Sequence, residues 1–122
     1  MEPPQIPYGR ADFSEILKKD PRFDSRAYDF VMQVVEEATE NAKGHVTGQE
    51  LLCWFRDLAL DAFGPMAFTV LEDWGVKSCE DVGDIVFNLY DANMIGKTDT
   101  DSPADFLGGF DFAEEFLVPY IP

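Results

Sequence analysis

The sequence predicts a mainly α fold: a single compact domain of about five helices, with a small C-terminal β-hairpin and a winged-helix-like order as the finer expectation. Three observations carry this. Apolar residues recur at i, i+3, i+4 and i+7 in several windows between residues 12 and 91. Serine, threonine, glycine and proline stand where such helices would start and stop. With 122 residues, 46% of them hydrophobic, the chain is long enough to bury a core without a disulfide or a metal.

Residues 1–11 hold three of the eight prolines and read as a flexible N-terminal segment, leaving 12–122 as the helical domain. Asp12 or Ser14 can cap a short helix to Lys19 that turns Phe13, Ile16 and Leu17 inward. Asp20-Pro21 stops it, because the residue before proline avoids the helical region. From Ser25 to about Ala42, residues Ala27, Tyr28, Val31, Val34, Val35 and Ala38 form one stripe, and Glu36, Glu37 and Glu40 the wet face. Lys43 and Gly44 suit its end.

Thr47-Gly48-Gln49-Glu50 reads as a capping box, in which hydroxyl and carboxylate each accept from the other residue's amide. It opens a helix to Phe63 whose apolar residues cover most of the circumference, so this is the expected central helix, with Cys53 as a small core residue. Gly64-Pro65 stops it and starts a shorter helix to Trp74, ended by Gly75. Ser78 caps a helix to about Asp91, with Val82, Ile85, Val86 and Leu89 on one stripe and Asp81, Asp84, Asn88 and Asp91 on the other. Beyond it the period changes. Residues 94–98 and 106–112 are expected as the two hairpin strands around a loop at 99–103, and Asp111 as the cap of a last turn over 112–117.

Charge narrows the function classes. There are 24 acids against 9 bases, a net charge of -15, and residues 73–122 hold -9 of it. Phosphate contacts need Lys and Arg, so nucleic acid and anionic lipid are not expected as partners. No basic-then-apolar leader and no 18-residue apolar run occur, which points to the cytoplasm and away from a membrane. The two cysteines, Cys53 and Cys79, are then expected as reduced thiols. In a winged-helix order the helix from Ser78 would read DNA. Here it carries Glu80, Asp81, Asp84 and Asp91 and no base, so such an architecture would serve protein contacts.

Several short stretches stand in a particular order: Ala27-Tyr28-Asp29-Phe30-Val31, the octet from His45 to Leu52, Phe63-Gly64, Val70-Leu71, Trp74-Gly75, Ile85-Val86-Phe87-Asn88-Leu89, Asp105-Phe106 and Phe110-Asp111-Phe112. Together they resemble a family of short uncharacterised bacterial proteins described mainly from planctomycetes and verrucomicrobia. The resemblance covers about residues 23–116 and is most specific in the octet. It implies a bacterial, soluble context and no mechanism.

No complete catalytic or metal constellation is present. The calcium-loop register from Thr39 places Lys43 where an oxygen ligand is needed, and the register from Asp91 fails at Ile95 and Ser102. One histidine and two distant cysteines offer no zinc spacing, and P-loop, dinucleotide and nucleophile-elbow motifs are absent. No metal or cofactor is therefore expected. Cys79 near a helix start is opposed by Glu80 and Asp81 as a thiolate.

Two functional readings remain. The first is a non-enzymatic protein-interaction or regulatory module for a basic or apolar partner, through Asp81, Asp84, Asp91, Asp99, Asp101, Asp105, Phe110 and Phe112. Against it, the aromatic tail could instead complete the core. The alternative is a small enzyme or anion-binding protein centred on His45, Glu50 and Arg56, with His45 as a general base. Arg56 is the best single ligand candidate, although an inter-element ion pair explains it more simply.

Overall fold

The structure is a computed structural model that describes residues 13–42, 46–95 and 103–117. The expected flexible segment 1–11, the helix end at Lys43 and Gly44, and His45, Asp99 and Asp101 lie outside the described residues. Five α-helices are described: α1 (Ser14–Lys19), α2 (Ser25–Ala42), α3 (Gly48–Phe63), α4 (Ala67–Asp73) and α5 (Cys79–Asp91). A 3-10 turn, Gly64–Met66, joins α3 to α4. Another, Pro103–Phe106, and a π-helical turn, Ala113–Leu117, make up the C-terminal segment.

Local chemistry sets most of the ends. The Thr47 hydroxyl accepts from the Glu50 amide at 3.1 Å, and Glu50 Oε1 accepts from the Thr47 amide at 2.9 Å, so the capping box is complete. Ser78 Oγ accepts from the Asp81 amide at 3.2 Å, and Asp81 Oδ2 accepts from the Lys77 amide at 2.9 Å. Gly64 and Gly75 take positive φ, +52° and +90°, and end α3 and the α4 turn. Ser14 is the first residue of α1 rather than its cap, which is Phe13, without a side-chain capping bond. The helix expected from Pro65 begins as the 3-10 turn and becomes α-helical only at Ala67.

Helices α2 and α3 pack on each other, α5 lies against both, and α4 folds back on α3. Tyr28, Phe55, Leu52, Leu71, Ile85 and Leu89 are fully buried between them. The C-terminal segment crosses α5 and α3, and its last turn packs on α4.

The hairpin and the winged-helix order find no support among the described residues, and 96–102, which hold most of the first expected strand and its loop, lie outside them. Among the described residues there is no strand: Met94 and Ile95 form a bend, and 106–112 runs from a 3-10 turn into irregular backbone. The physical reason is where the backbone polar groups go. The Gln49 amide donates to the carbonyls of Asp105 and Leu107 at 2.8 and 3.2 Å. The Phe110 amide donates to Cys79 Sγ at 3.3 Å, and the thiol donates to the Phe110 carbonyl at 3.4 Å. Helix side chains thus take the role a partner strand would have had. Asp111 does cap the last turn, its Oδ1 accepting from the Glu114 amide at 3.1 Å.

The aromatic tail completes the core. Phe106, Phe112 and Phe116 are buried, and the last two meet Phe55 at ring-centroid distances of 6.1 and 6.4 Å. Phe112 is therefore core, a correction to its expected place on a partner surface, and Phe110 is half-buried beside it. Burial of one large ring contributes about 1.5–3 kcal/mol, far more than an exposed ring would gain.

Candidate functional site

Helix α3 has two faces. Leu51, Leu52, Phe55 and Ala59 point into the core. Glu50, Cys53, Trp54, Asp57, Leu58 and Asp61 recur at alternating spacings of three and one, which puts them on one outer stripe. Together with Ala42 at the end of α2 and Val46 before α3, they line a groove of about 480 Å³. Its floor is apolar, with Trp54 and Leu58 only partly covered, and Glu50, Asp57 and Asp61 supply carboxylates. Cys53 is exposed in it, which corrects its expected place in the core. It stands three residues from Glu50 and four from Asp57, so helical periodicity carries it to the wet side. That same spacing was readable in the sequence. It was hidden because Trp54 and Leu58 on the outer stripe look like core residues.

A second depression lies at the start of α5, lined by Cys79, Glu80, Gly109, Asp111, Glu114 and Glu115 among others. The Cys79 thiol is pushed above its usual range by burial, only partly opposed by the Phe110 amide. Gly109 leaves no room there: a Cβ would sit 2.8 Å from both Cys79 Sγ and a Leu52 methyl. Among the described residues no group of three His, Cys, Asp or Glu side chains is placed to hold a metal ion.

Of the residues of the alternative reading, His45 lies outside the described residues, and only Glu50 and Arg56 can be placed. Glu50 is engaged in the α3 capping box and borders the groove. Arg56 is six residues on, about 120° around the helix, and does not line the groove. Its Nε donates to Asp57 Oδ1 at 3.0 Å, and Nη1 lies 3.7 Å from Glu115 Oε1 on the last turn. Glu50 and Arg56 share no cleft.

The acids expected on α5 have different uses. Asp81 supports the helix start. Asp84 accepts from Arg22 Nη2 at 3.1 Å, and Arg22 also grips Asp20 through Nε and Nη2 at 2.8 and 2.7 Å. Asn88 closes the cluster, donating to Asp20 Oδ2 at 3.0 Å and to the Tyr28 hydroxyl at 3.1 Å. This network ties the α1–α2 link to α5. Asp91 is exposed at the far end of α5, beside a small cleft against α1, and Asp105 lies on Gly48 with its carbonyl bonded to Gln49.

Arg22 holds the Asp20 carboxyl well below the usual carboxylate range, with burial opposing and Asn88 assisting. A folded-state pKa that is depressed contributes stability above the unfolded-state value, lost as pH falls below about 4. Arg22 is half exposed, so Arg22→Ala is expected to cost only about 1 kcal/mol at neutral pH. The gap between variant and native protein should close on acidification, read from urea unfolding at pH 7 and in strong acid. A gap that is constant with pH would show that the carboxylate is not the source.

No helix among the described residues is long and apolar enough to cross a membrane. No protein-family model, no curated protein and no solved structure matches the chain.

Proposed function

We propose that this protein is a non-enzymatic docking module whose α3 groove takes a cationic segment of a partner protein with an apolar anchor. The observation that supports the reading is one surface with two chemistries: a Trp54 and Leu58 floor, bordered by Glu50, Asp57 and Asp61. An apolar floor favours burial of aliphatic or aromatic side chains. Carboxylates at the border favour Lys and Arg on the flanks of that anchor, speed its encounter and disfavour acidic competitors. Such a pattern suits an amphipathic helix laid in a groove. A chain with 24 acids and 9 bases is poorly suited to nucleic acid, and a cytoplasmic protein partner fits the reduced thiols.

The test uses a synthetic helical peptide with leucines at i, i+3, i+4 and i+7 and lysines on both flanks, beside its glutamate analogue. The lysine peptide is expected to slow alkylation of Cys53 and shift Trp54 fluorescence. Reversing Asp57 and Asp61 to lysine is expected to weaken it about tenfold at low salt. Unchanged Cys53 reactivity with the lysine peptide, or equal protection by the glutamate analogue, would sink the reading.

A further inference from the structure

Helix α3 carries a single base, Arg56, against Glu50, Asp57 and Asp61. Its guanidinium does not lie in the groove, yet it occupies one of the groove's carboxylates. Nε donates to Asp57 Oδ1 at 3.0 Å, and Nη1 stands 3.7 Å from Glu115 Oε1. Asp57 borders the α3 groove, and Glu115 lines the depression at the start of α5. Among the described residues, Arg56 is the cation that pairs with carboxylates of both clefts. The other described bases lie at Lys18, Lys19, Arg22, Arg26 and Lys77, outside both linings.

The Asp57 pair has the wrong geometry for a helix staple. Neighbours at i and i+1 do not face each other, so the guanidinium must bend along the helix to reach Asp57. The Asp57 side chain is 65% exposed and that of Arg56 31%. An ion pair this wet adds little to folding. Its larger effect is on the potential of the groove, where a fixed positive charge neutralises part of the border that an incoming cation would use.

We propose that Arg56 is a built-in competitor for the cation the groove accepts, a specificity-setting residue that holds Asp57 from within the chain and yields it to a partner. This rests on the reading of the groove as a docking site for a cationic segment. A partner Lys or Arg that reaches Asp57 displaces Arg56 onto Glu115, so only a segment with enough apolar anchorage and charge gains the site. A lone cation or a weakly basic loop is turned away.

Cys53 provides a native reporter, because it is exposed in the groove while Cys79 is buried. The rates of its modification by a cationic and by an anionic methanethiosulfonate are measured on the full chain. Their ratio reads the sign and strength of the local potential. Arg56→Met is expected to raise the cationic-to-anionic ratio about three- to tenfold at low ionic strength, with the gain shrinking as salt is added. Arg56→Lys should stay near the native ratio. Arg56→Gln serves as the second neutral variant, should the methionine disturb the fold. Affinity for the lysine peptide should rise in step, whereas a merely structural role for Arg56 would lower it. An unchanged or lower ratio in the neutral variants overturns the proposal. Failure of the docking reading is separate: there the peptide leaves Cys53 of the native protein unprotected, whatever Arg56 does to the ratio.

Discussion

Phe116→Ala is expected to destabilise the fold by about 3–5 kcal/mol, the range for emptying a buried phenylalanine site. Phe116 is fully buried and meets Phe55, Phe110 and Phe112 with ring centroids 5.0 to 6.4 Å away. All three are edge-to-face pairs, which add to the area term. The site is formed by α3 and the C-terminal turn, with α4 packed against that turn, so its collapse would need several elements to move. Leu117→Ala, one residue on and 38% exposed, is the control and should cost well under half as much. Urea unfolding of both variants checks this. Equal, small losses would mean that the C-terminal segment is an appendage and not part of the core.

The second large effect reverses the sign that helix propensity gives. Gly83 is inside α5, where replacing glycine by alanine ordinarily gains about 1 kcal/mol. Phe106 fills the space above it. A Cβ on residue 83 would lie 2.8 Å from Phe106 Cγ and 2.9 Å from its Cβ, closer than such atoms come. The Phe106 Cβ is fixed to its backbone and cannot swing away. Overpacking costs about 1–3 kcal/mol, so Gly83→Ala is expected to lose about 1 kcal/mol net and Gly83→Val about 3. Pairing Gly83→Ala with Phe106→Gly, which removes the Phe106 Cβ as well as the ring, should restore the propensity gain relative to Phe106→Gly alone, the mark of a shared contact. A stabilised Gly83→Ala single variant would show that Phe106 does not occupy that notch.

These two residues show why the C-terminal half was harder to read than the rest. The sequence of 106–112 mixes phenylalanines with glycine and aspartate, and ring-rich short runs favour strand. Nothing local says that Gln49 and Cys79, more than fifty and thirty residues away respectively, will satisfy its backbone. The groove was half legible. Its residues follow helical spacing, but a helix that is apolar nearly all round does not announce which side stays wet. Arg56 was legible as a residue needing a carboxylate, though not as one bonded to its own neighbour.

What the sequence determined by itself is most of the helix ends between Ser25 and Asp91. Thr47 and Glu50, Gly64, Gly75 and Ser78 act within a few residues through hydrogen bonds and φ preferences, and the structure carries them as the spacing predicts, whereas the helix expected from Pro65 is α-helical only from Ala67. Tertiary structure alone decided two things: which of the two readings of the aromatic tail holds, so that Phe106, Phe112 and Phe116 are core, and that Gly83 is a socket and not a flaw. Each depends on which element covers a given face. Coverage is set by partners distant in the chain, whose burial outweighs local propensity by several kcal/mol, about the worth of a buried ring.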